Sequence, residues 1–481
     1  MRIKYIYYLF VATAVLGSCK KGYLDVNEVN PNQTQNPPLN GLLTAVTYQT
    51  GVNVFRAGNV TSYYMQYLAS PNTSGGSDIY DDVDRSSLWF VIDDLNTVGD
   101  EGGGVYNTLR DERVMLYKAV GSNAFEHVGV AKITEAMNLS LLIDLFGDLP
   151  YSTALDSSNF TPQYDKAEDI FNACLKLLDE AVIEFDKANP AIKLDAASDV
   201  IHGGNKTAWK KTAYALKARL LNRLSKTTTY NPTAILDALS KAYTSNADDA
   251  QITKFANRSS WNQVATNNAN LVLDGWLSEQ FVQALNGTTY GVFDPRIKYI
   301  TDTTKFGDYR GTPNGKGRTG TGTNKEESYL SLNGFYSKGG APLLLVTYAE
   351  MKFIEAEATF ATDKARSYAA YLAGITAHMD KLAVPAAEKN AYLSNPAVAV
   401  GAANLTKDHI FKEKYVAMFL HPESWTDARR YDYKYKDFTL PQNAVLPTFI
   451  RRMGYPSSEK DRNSQNVPNV GSLADKLWWD K

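Results

Sequence analysis

Four aspartates lie close together in one polar loop and form a group of possible metal ligands. They are Asp78, Asp81, Asp82 and Asp84. Carboxylate oxygens at close spacing can hold Ca²⁺, but the spacing does not follow the 12-residue EF-hand loop. The sequence therefore favours a solvated acidic loop, with a structural Ca²⁺ site as the alternative. No other cofactor is expected.

Aromatic side chains accompany this loop and a second region between predicted helices. The chain has 30 Tyr, 19 Phe and 7 Trp, so tyrosine is unusually frequent. Tyr and Trp combine a flat apolar face with a polar group and suit surfaces that contact ligands. Packing in the core is the alternative for each ring. The predicted ligand-binding residues are Tyr80, Trp89, Trp261, Trp276 and Tyr290.

Catalytic motifs are absent from the sequence. There is no G-x-S-x-G, H-E-x-x-H or C-x-x-C, and the five histidines show no metal-ligand spacing. Residues 315–320 fit G-x-G-x-x-G, but no strand precedes them and no helix follows, as a nucleotide site requires. The sequence predicts a binding protein and not an enzyme. A surface glycoside hydrolase stays open, because the separation of its two carboxylates is set in three dimensions. A helical scaffold that binds only proteins is a further alternative.

The first twenty residues have the pattern of an export signal. Arg2 and Lys4 precede a mostly apolar run over residues 5–16, which is too short for a membrane span of about 20 residues. The segment Leu-Gly-Ser-Cys that ends at Cys19 resembles the lipobox of bacterial lipoproteins, in which the cysteine is acylated. An ordinary secretory signal with an unrelated cysteine is the alternative. The prediction is a lipoprotein signal peptide over residues 1–18 and lipid attachment at Cys19.

Residues 19–40 are polar and rich in Asn and Pro, which is typical of a tether. With Cys19 lipidated, Cys174 has no partner for a disulfide, and it lies on an apolar helix face that predicts burial. Loss of Arg2 and Lys4 with the signal moves the formal net charge from -2 to -4. A chain with that charge is not expected to bind nucleic acid, which requires a basic surface.

Beyond the tether, apolar residues recur at helical spacing and strand-like alternation is sparse. Two neighbouring segments, 348–358 and 368–382, are joined by a short turn near Thr362 and carry small residues that allow close packing. This pattern predicts an antiparallel helix hairpin of tetratricopeptide type, although no strict 34-residue period is present. Other predicted helices cover residues 139–146, 170–185, 209–224 and 407–420.

A set of ordered segments resembles the SusD/RagB family, in its SusD-like lipoprotein branch. Each segment is weakly specific alone, and the order and spacing carry the resemblance. They are the lipobox, Asn-Pro-Asn at 30–32, Gly-Asp-Leu-Pro-Tyr at 147–151, Trp-Lys-Lys at 209–211, Asp-Pro-Arg at 294–296, Thr-Tyr-Ala-Glu at 347–350, Trp-Thr-Asp-Ala-Arg-Arg at 425–430 and Arg-Arg-Met-Gly-Tyr-Pro at 451–456.

The resemblance implies a mainly α fold in which tetratricopeptide-like helix pairs support a loop-rich half with the ligand site, all in one domain over residues 41–481. It implies an outer-membrane, lipid-anchored protein that faces the cell exterior and delivers a nutrient to a SusC-like TonB-dependent transporter. The usual ligands of the family are glycans, and some members bind peptides. The shared motifs are expected to be structural, with Arg429 and Arg430 pairing with Asp427 or backbone carbonyls beside a packed Trp425. Lys20 and Lys21 follow Cys19 where family members often carry acidic residues, so this chain departs from the usual signal for surface export.

Overall fold

The computed structural model describes residues 36–73, 75–89, 104–156, 158–270, 272–321 and 324–481. The predicted signal peptide, Cys19 and most of the tether lie outside these residues. Within them the chain forms 15 α-helices and four short strands. The helices are α1 (Leu39–Tyr64), α2 (Ser86–Trp89), α3 (Val105–Gly121), α4 (Phe125–Leu145), α5 (Ala167–Asp186), α6 (Lys206–Arg223), α7 (Pro232–Lys241), α8 (Ser260–Ala269), α9 (Glu279–Asn286), α10 (Tyr348–Thr359), α11 (Lys364–Lys381), α12 (Ala386–Leu393), α13 (Lys407–Ala417), α14 (Glu423–Arg430) and α15 (Ser457–Arg462).

The four strands form two antiparallel pairs. Strand β1 (Leu149–Pro150) pairs with β2 (Tyr164–Asp165), and β3 (Ala250–Ile252) pairs with β4 (Leu343–Val346). Because each strand has at most four residues, these pairs connect helices and form no sheet layer. No helix among the described residues is long and apolar enough to cross a membrane.

Antiparallel helix pairs make up much of the body. In α10 and α11, the hydroxyl of Ser367 near the start of one helix donates to the carbonyl of Ala356 near the end of the other, at 2.7 Å. The helices are capped by Thr347 and Asp363, whose side-chain oxygens accept backbone N–H groups in the first turn. The predicted hairpin of tetratricopeptide type is confirmed, and its turn lies at Thr362 as expected.

Two further pairs have the same arrangement. Lys132 of α4 lies 2.5 Å from Glu180 of α5, and Thr212 of α6 lies 2.7 Å from the hydroxyl of Tyr243 just after α7. In each pair, a residue in the first half of one helix (α4 or α6) contacts a residue in the later part of the next helix (α5) or just beyond its end (α7), as antiparallel packing requires. Cys174 of α5 is buried, as predicted, and burial raises the pKa of its thiol well above the usual value. This thiol is a packing group.

The family motif at 425–430 serves packing. Arg430 pairs with Asp427 at 2.5 Å and with Glu357 at 2.9 Å. The guanidinium of Arg429 lies 3.9 Å from the ring of Trp425 and donates to the carbonyls of Asp144 and Arg451. The expected structural role of these residues is therefore confirmed.

A second buried charge cluster ties the other half of the chain to the helix pairs. Arg296 is buried and donates to the carboxylates of Asp294, at 2.5 Å, and Glu413 of α13. Lys412 lies 2.5 Å from Glu413 on its other side. Burial favours the neutral carboxyl, but Arg296 outweighs it and lowers the pKa of Asp294 below its usual value. The cluster thus holds the Asp-Pro-Arg turn against α13.

The loop-rich half consists of the described parts of residues 65–89, 270–342 and 431–456. Main-chain contacts join its three segments: the N–H of Ala69 donates to the carbonyl of Trp276, and the N–H of Gln442 donates to that of Asn314. At Gly315, φ is +76° and a Cβ would lie 1.7 Å from the carbonyl oxygen of Gln442. Only glycine allows this approach. The loops are therefore packed on each other closely enough to position side chains.

Candidate ligand-binding site

Four of the five predicted ligand-binding aromatics lie in the core. Tyr80, Trp89, Trp261 and Trp276 are each at most 4% exposed. Rings with this burial offer no face to a ligand in this structure, so the prediction for these four residues is corrected. The physical reason is that large apolar rings gain more from burial than from display at a surface.

Each of these rings has a specific place in the packing. The ring centroid of Trp261 is 4.8 Å from that of Phe55, and Trp89 packs between Tyr106 and Phe146. The indole N–H of Trp276 donates to Asn268 at 2.9 Å. These rings hold the loop-rich half on the helices.

The four aspartates of the polar loop do not converge. Asp78 is buried and accepts from Asn314, at 2.5 Å, and from the N–H of Gly315, at 2.6 Å, whereas the other three side chains are exposed. Burial raises the pKa of Asp78 to about 6. Among the described residues, no three His, Cys, Asp or Glu side chains are grouped as a metal ion would require. Asp78 serves instead as an acceptor that fixes the loop at Gly315.

A cavity of about 500 Å³ opens in the loop-rich half, and we call it the Phe306 cleft. Its walls come from α9, from the turn after residue 304 and from the loop before residue 328. The lining residues are Glu279, Val282, Gln283, Asn286, Thr288, Phe306, Tyr309, Arg310, Gly311, Pro313, Thr319, Gly320, Thr321, Glu326 and Glu327. This volume lies within the range of about 300–1,000 Å³ that is usual for small-molecule sites.

Helix α9 supplies one polar wall. Glu279, Gln283 and Asn286 are spaced i, i+4 and i+7 and therefore share one face, while Phe281 and Leu285 are buried on the other. Ser278 caps the helix by accepting from the N–H of Gln280. Carboxylate and amide groups at this spacing present several hydrogen-bonding atoms along one side of the cleft.

Two aromatic rings line the same cleft, and the carbonyl of Tyr309 accepts from the side-chain amide of Asn286 at 3.2 Å. Phe306 is 55% exposed, an unusual value for a phenylalanine, and the guanidinium of Arg310 lies 4.4 Å from its ring centroid. Tyr309 is half-buried and packs against Phe293, with ring centroids 6.1 Å apart. Burial raises the pKa of the Tyr309 hydroxyl, so it stays protonated and can donate a hydrogen bond. The cleft therefore combines apolar ring surface with donors and acceptors.

The turn that carries Phe306 is fixed by its own polar residues. Asp308 accepts from the hydroxyl of Thr304 at 2.5 Å and lies 2.7 Å from Arg310. The hydrogen bond from Thr304 lowers the pKa of Asp308. Hydrogen bonds from the Lys305 side chain and from the Thr321 N–H lower the pKa of Glu326 in the same way. Both carboxyls are ionised at neutral pH. They can accept hydrogen bonds from hydroxyl groups but have no proton to donate as general acids.

Tyr290, the remaining predicted aromatic, is half-buried and does not line the Phe306 cleft. It lines a second cavity, which lies on the other side of the 287–294 loop from the Phe306 cleft. Phe306, Tyr309 and Arg310 were not among the candidates predicted from the sequence, because aromatic residues were chosen by type and tryptophan was preferred. The alternation of aromatic and charged residues over 305–310 is the signal that would have indicated them.

Comparisons with known proteins place this geometry in context. A family model named SusD-like_2 and described as "Starch-binding associating with outer membrane" matches residues 31–456. No curated protein matches the chain. Among solved structures, a SusD/RagB family protein from Bacteroides thetaiotaomicron is 20% identical, with a TM-score of 0.72 over 92% of this chain and 99% of that one.

Two other solved structures agree. A SusD homolog from Bacteroides fragilis is 22% identical, with a TM-score of 0.70 over 92% of this chain and 99% of that one. A chitin-binding SusD homolog from Flavobacterium johnsoniae is 20% identical, with a TM-score of 0.70 over 92% of this chain and 97% of that one. At this identity the likeness shows the fold, and the predicted mainly α architecture is confirmed.

Proposed function

Because the chain belongs to the SusD-like family, whose sequence model spans residues 31–456, we propose that it is an outer-membrane lipoprotein that binds an oligosaccharide in the Phe306 cleft and releases it unchanged. The resemblance to this family, inferred from ordered motifs, is confirmed by that match. The ligand, its site and the anchor are the proposed parts.

The observation that carries the proposal is an exposed phenylalanine beside hydrogen-bonding side chains in one cleft. A sugar ring has an apolar face and a rim of hydroxyl groups. Phe306 and Tyr309 provide ring surface for the face, and Glu279, Gln283 and Arg310 provide hydrogen-bonding groups for the rim. The description of the family as starch-binding, and of one relative as chitin-binding, supports a glycan in preference to a peptide.

One carboxyl group of the cleft bears on the choice between binding and hydrolysis. A glycoside hydrolase needs a carboxylic acid whose pKa is raised so that it can protonate the leaving group. Glu326, which lines the cleft, has a lowered pKa, the opposite of this requirement. We therefore keep the glycoside hydrolase as the rival function and the peptide-binding member of the family as the second alternative.

The proposed setting follows from the N-terminal sequence and the family. Acylation at Cys19 would anchor the protein in the outer membrane, and the predicted tether would connect this anchor to the folded body. A SusC-like TonB-dependent transporter is the proposed recipient of the ligand, with the protein on the exterior side. Recognition needs no cofactor.

Substitution of Phe306 by alanine tests the site. A glycan array identifies the ligand, and titration calorimetry compares the wild type with Phe306→Ala. We expect the dissociation constant to rise about 5–30-fold, since loss of a ring contact in a partly exposed site costs about 1–2 kcal/mol. The unfolding temperature should stay the same, because Phe306 is outside the core.

Phe160→Ala is the matched control, since Phe160 is 86% exposed and lies outside the cleft. Its affinity should equal that of the wild type. Equal affinities for the wild type, Phe306→Ala and Phe160→Ala would show that the glycan does not bind in the Phe306 cleft. A blank glycan array, together with signals on a peptide array, would favour the peptide alternative.

A further inference from the structure

A second cavity of about 500 Å³ lies between the helix pairs and the loop-rich half, and we call it the Tyr290 pocket. The 287–294 loop separates it from the Phe306 cleft, because Thr288 lines the cleft and Tyr290 lines the pocket. Its other walls come from α11, from α13 and from the segment after α14. The two cavities share this loop as a wall but differ in chemistry.

Tyrosine rings form the walls of the pocket. Tyr431 stacks on Phe411 with ring centroids 4.2 Å apart and planes 5° from parallel, and Tyr435 contacts Tyr431 edge to face at 5.3 Å. Tyr290 also lines the pocket and is half-buried, with the ammonium group of Lys412 5.3 Å from its ring centroid. Because Tyr431 and Tyr435 are packed from behind, their positions are fixed before any ligand arrives, which lowers the entropy cost of binding.

Three lysines line the same pocket, and their surroundings differ. Lys412 is neutralised by Glu413 at 2.5 Å. Lys436 donates to the carbonyl of Thr289 at 2.6 Å, and Lys434 is exposed. Within the described chain, neither Lys434 nor Lys436 has a carboxylate partner. Two ammonium groups are thus left without a counter-charge.

One acidic group also lines the pocket without a cationic partner. Asp408 accepts a hydrogen bond from the hydroxyl of Tyr431 and is exposed at the start of α13. Since Lys412 and Glu413 cancel, the lining carries an excess of one positive charge, and both of the free ammonium groups belong to the 434–436 segment. The pocket therefore favours an anionic group at that side.

From the coexistence of tyrosine walls and free ammonium groups, we propose that the Tyr290 pocket is a second ligand site, which binds a sugar ring that carries a carboxylate. The ring packs on Tyr290, the half-buried tyrosine of the lining, and the carboxylate pairs with Lys434 and Lys436. A neutral sugar lacks the group that these lysines would pair with. The inference rests on the proposed function only in its choice of a sugar as the body of the ligand.

The test titrates the mature lipoprotein with trigalacturonate and, separately, with the neutral sugar galactotriose. We expect trigalacturonate to bind at least about tenfold more tightly, with an affinity that falls as salt is raised, because a charge-assisted pair in an open pocket is screened. The double variant Lys434→Ala, Lys436→Ala should lose about tenfold or more in affinity for trigalacturonate. Lys434→Arg should retain most of it, since the charge is kept.

Lys476→Ala is the matched control, because Lys476 is exposed and lies outside both cavities. Its affinity should not change. Failure of the Phe306 cleft as a site would appear only in the Phe306→Ala titration with the glycan that the array identifies, whereas this test is read from the lysine double variant. Equal binding of the two sugars, or full affinity in the double variant, would overturn the inference. Binding of a peptide C-terminal carboxylate without binding of trigalacturonate would overturn it as well.

Discussion

Replacement of Arg296 by methionine is expected to lower the free energy of unfolding by about 3–5 kcal/mol, because it leaves two buried carboxylates to share one cation, Lys412. Asp294 and Glu413 are at most 1% exposed and both pair with Arg296. Methionine fills similar space but donates no hydrogen bond. Denaturant unfolding followed by circular dichroism measures the loss.

Arg310→Met is the matched control for this prediction. Arg310 pairs with Asp308 at the surface, where the two side chains are 52% and 44% exposed, so its removal should cost about 1 kcal/mol or less. If Arg296→Met and Arg310→Met lowered the free energy of unfolding by similar amounts, the buried cluster would not have the stabilising role expected of it.

The effect of Arg296→Met should also depend on pH. In the wild type, Arg296 keeps the pKa of Asp294 low, so this pair stabilises the fold above the unfolded pKa of about 4. In the variant, Asp294 and Glu413 share Lys412 as their one cation, so burial raises their carboxyl pKa values and a proton is taken up as the pH falls. The difference in stability between the two proteins should therefore shrink from pH 7 towards pH 4.

Replacement of Cys19 by alanine is expected to move the protein from the membrane fraction to the soluble fraction. Each buried CH₂ of an acyl chain contributes about 0.8 kcal/mol, and more than one chain is needed for a stable anchor. Labelling with a radioactive fatty acid and fractionation of cells measure both lipidation and location. Cys19 lies outside the described residues, so this prediction depends on the sequence motif alone.

The second cysteine provides the control for this experiment. Cys174→Ala removes a buried thiol of α5 and should leave lipidation and membrane location intact. If the Cys19→Ala protein stays in the membrane fraction, the proposed anchor is wrong. A wild-type protein that is itself soluble and unlabelled would support an ordinary secretory signal.

Helix pairing could be predicted from the sequence because it depends on local spacing. The apolar stripes at 348–358 and 368–382 and the small residues Ala356 and Ala358 determine how α10 and α11 meet. The burial of Cys174 followed from the same periodicity. The charged motif at 425–430 was also predictable as structure, since arginines beside a tryptophan and an aspartate form buried pairs.

The ligand-contacting residues could not be predicted in this way. Trp261 lies near the start of α8 and Phe306 lies in a turn, and tertiary packing buries the first and exposes the second. The exposure of Phe306 depends on the turn that Thr304 and Asp308 form, and on its distance in space from the core. Residue type alone favoured tryptophan, which is the type whose burial contributes most to stability.

The central claim is that the protein binds a glycan and releases it intact. The most direct measurement is incubation of the purified protein with the reducing-end-labelled oligosaccharide that the array identifies, followed by capture of the complex and chromatography of the recovered sugar. We predict a stoichiometric complex from which all label is recovered at its original chain length. Recovery of shorter labelled products in proportion to protein and time would contradict the claim.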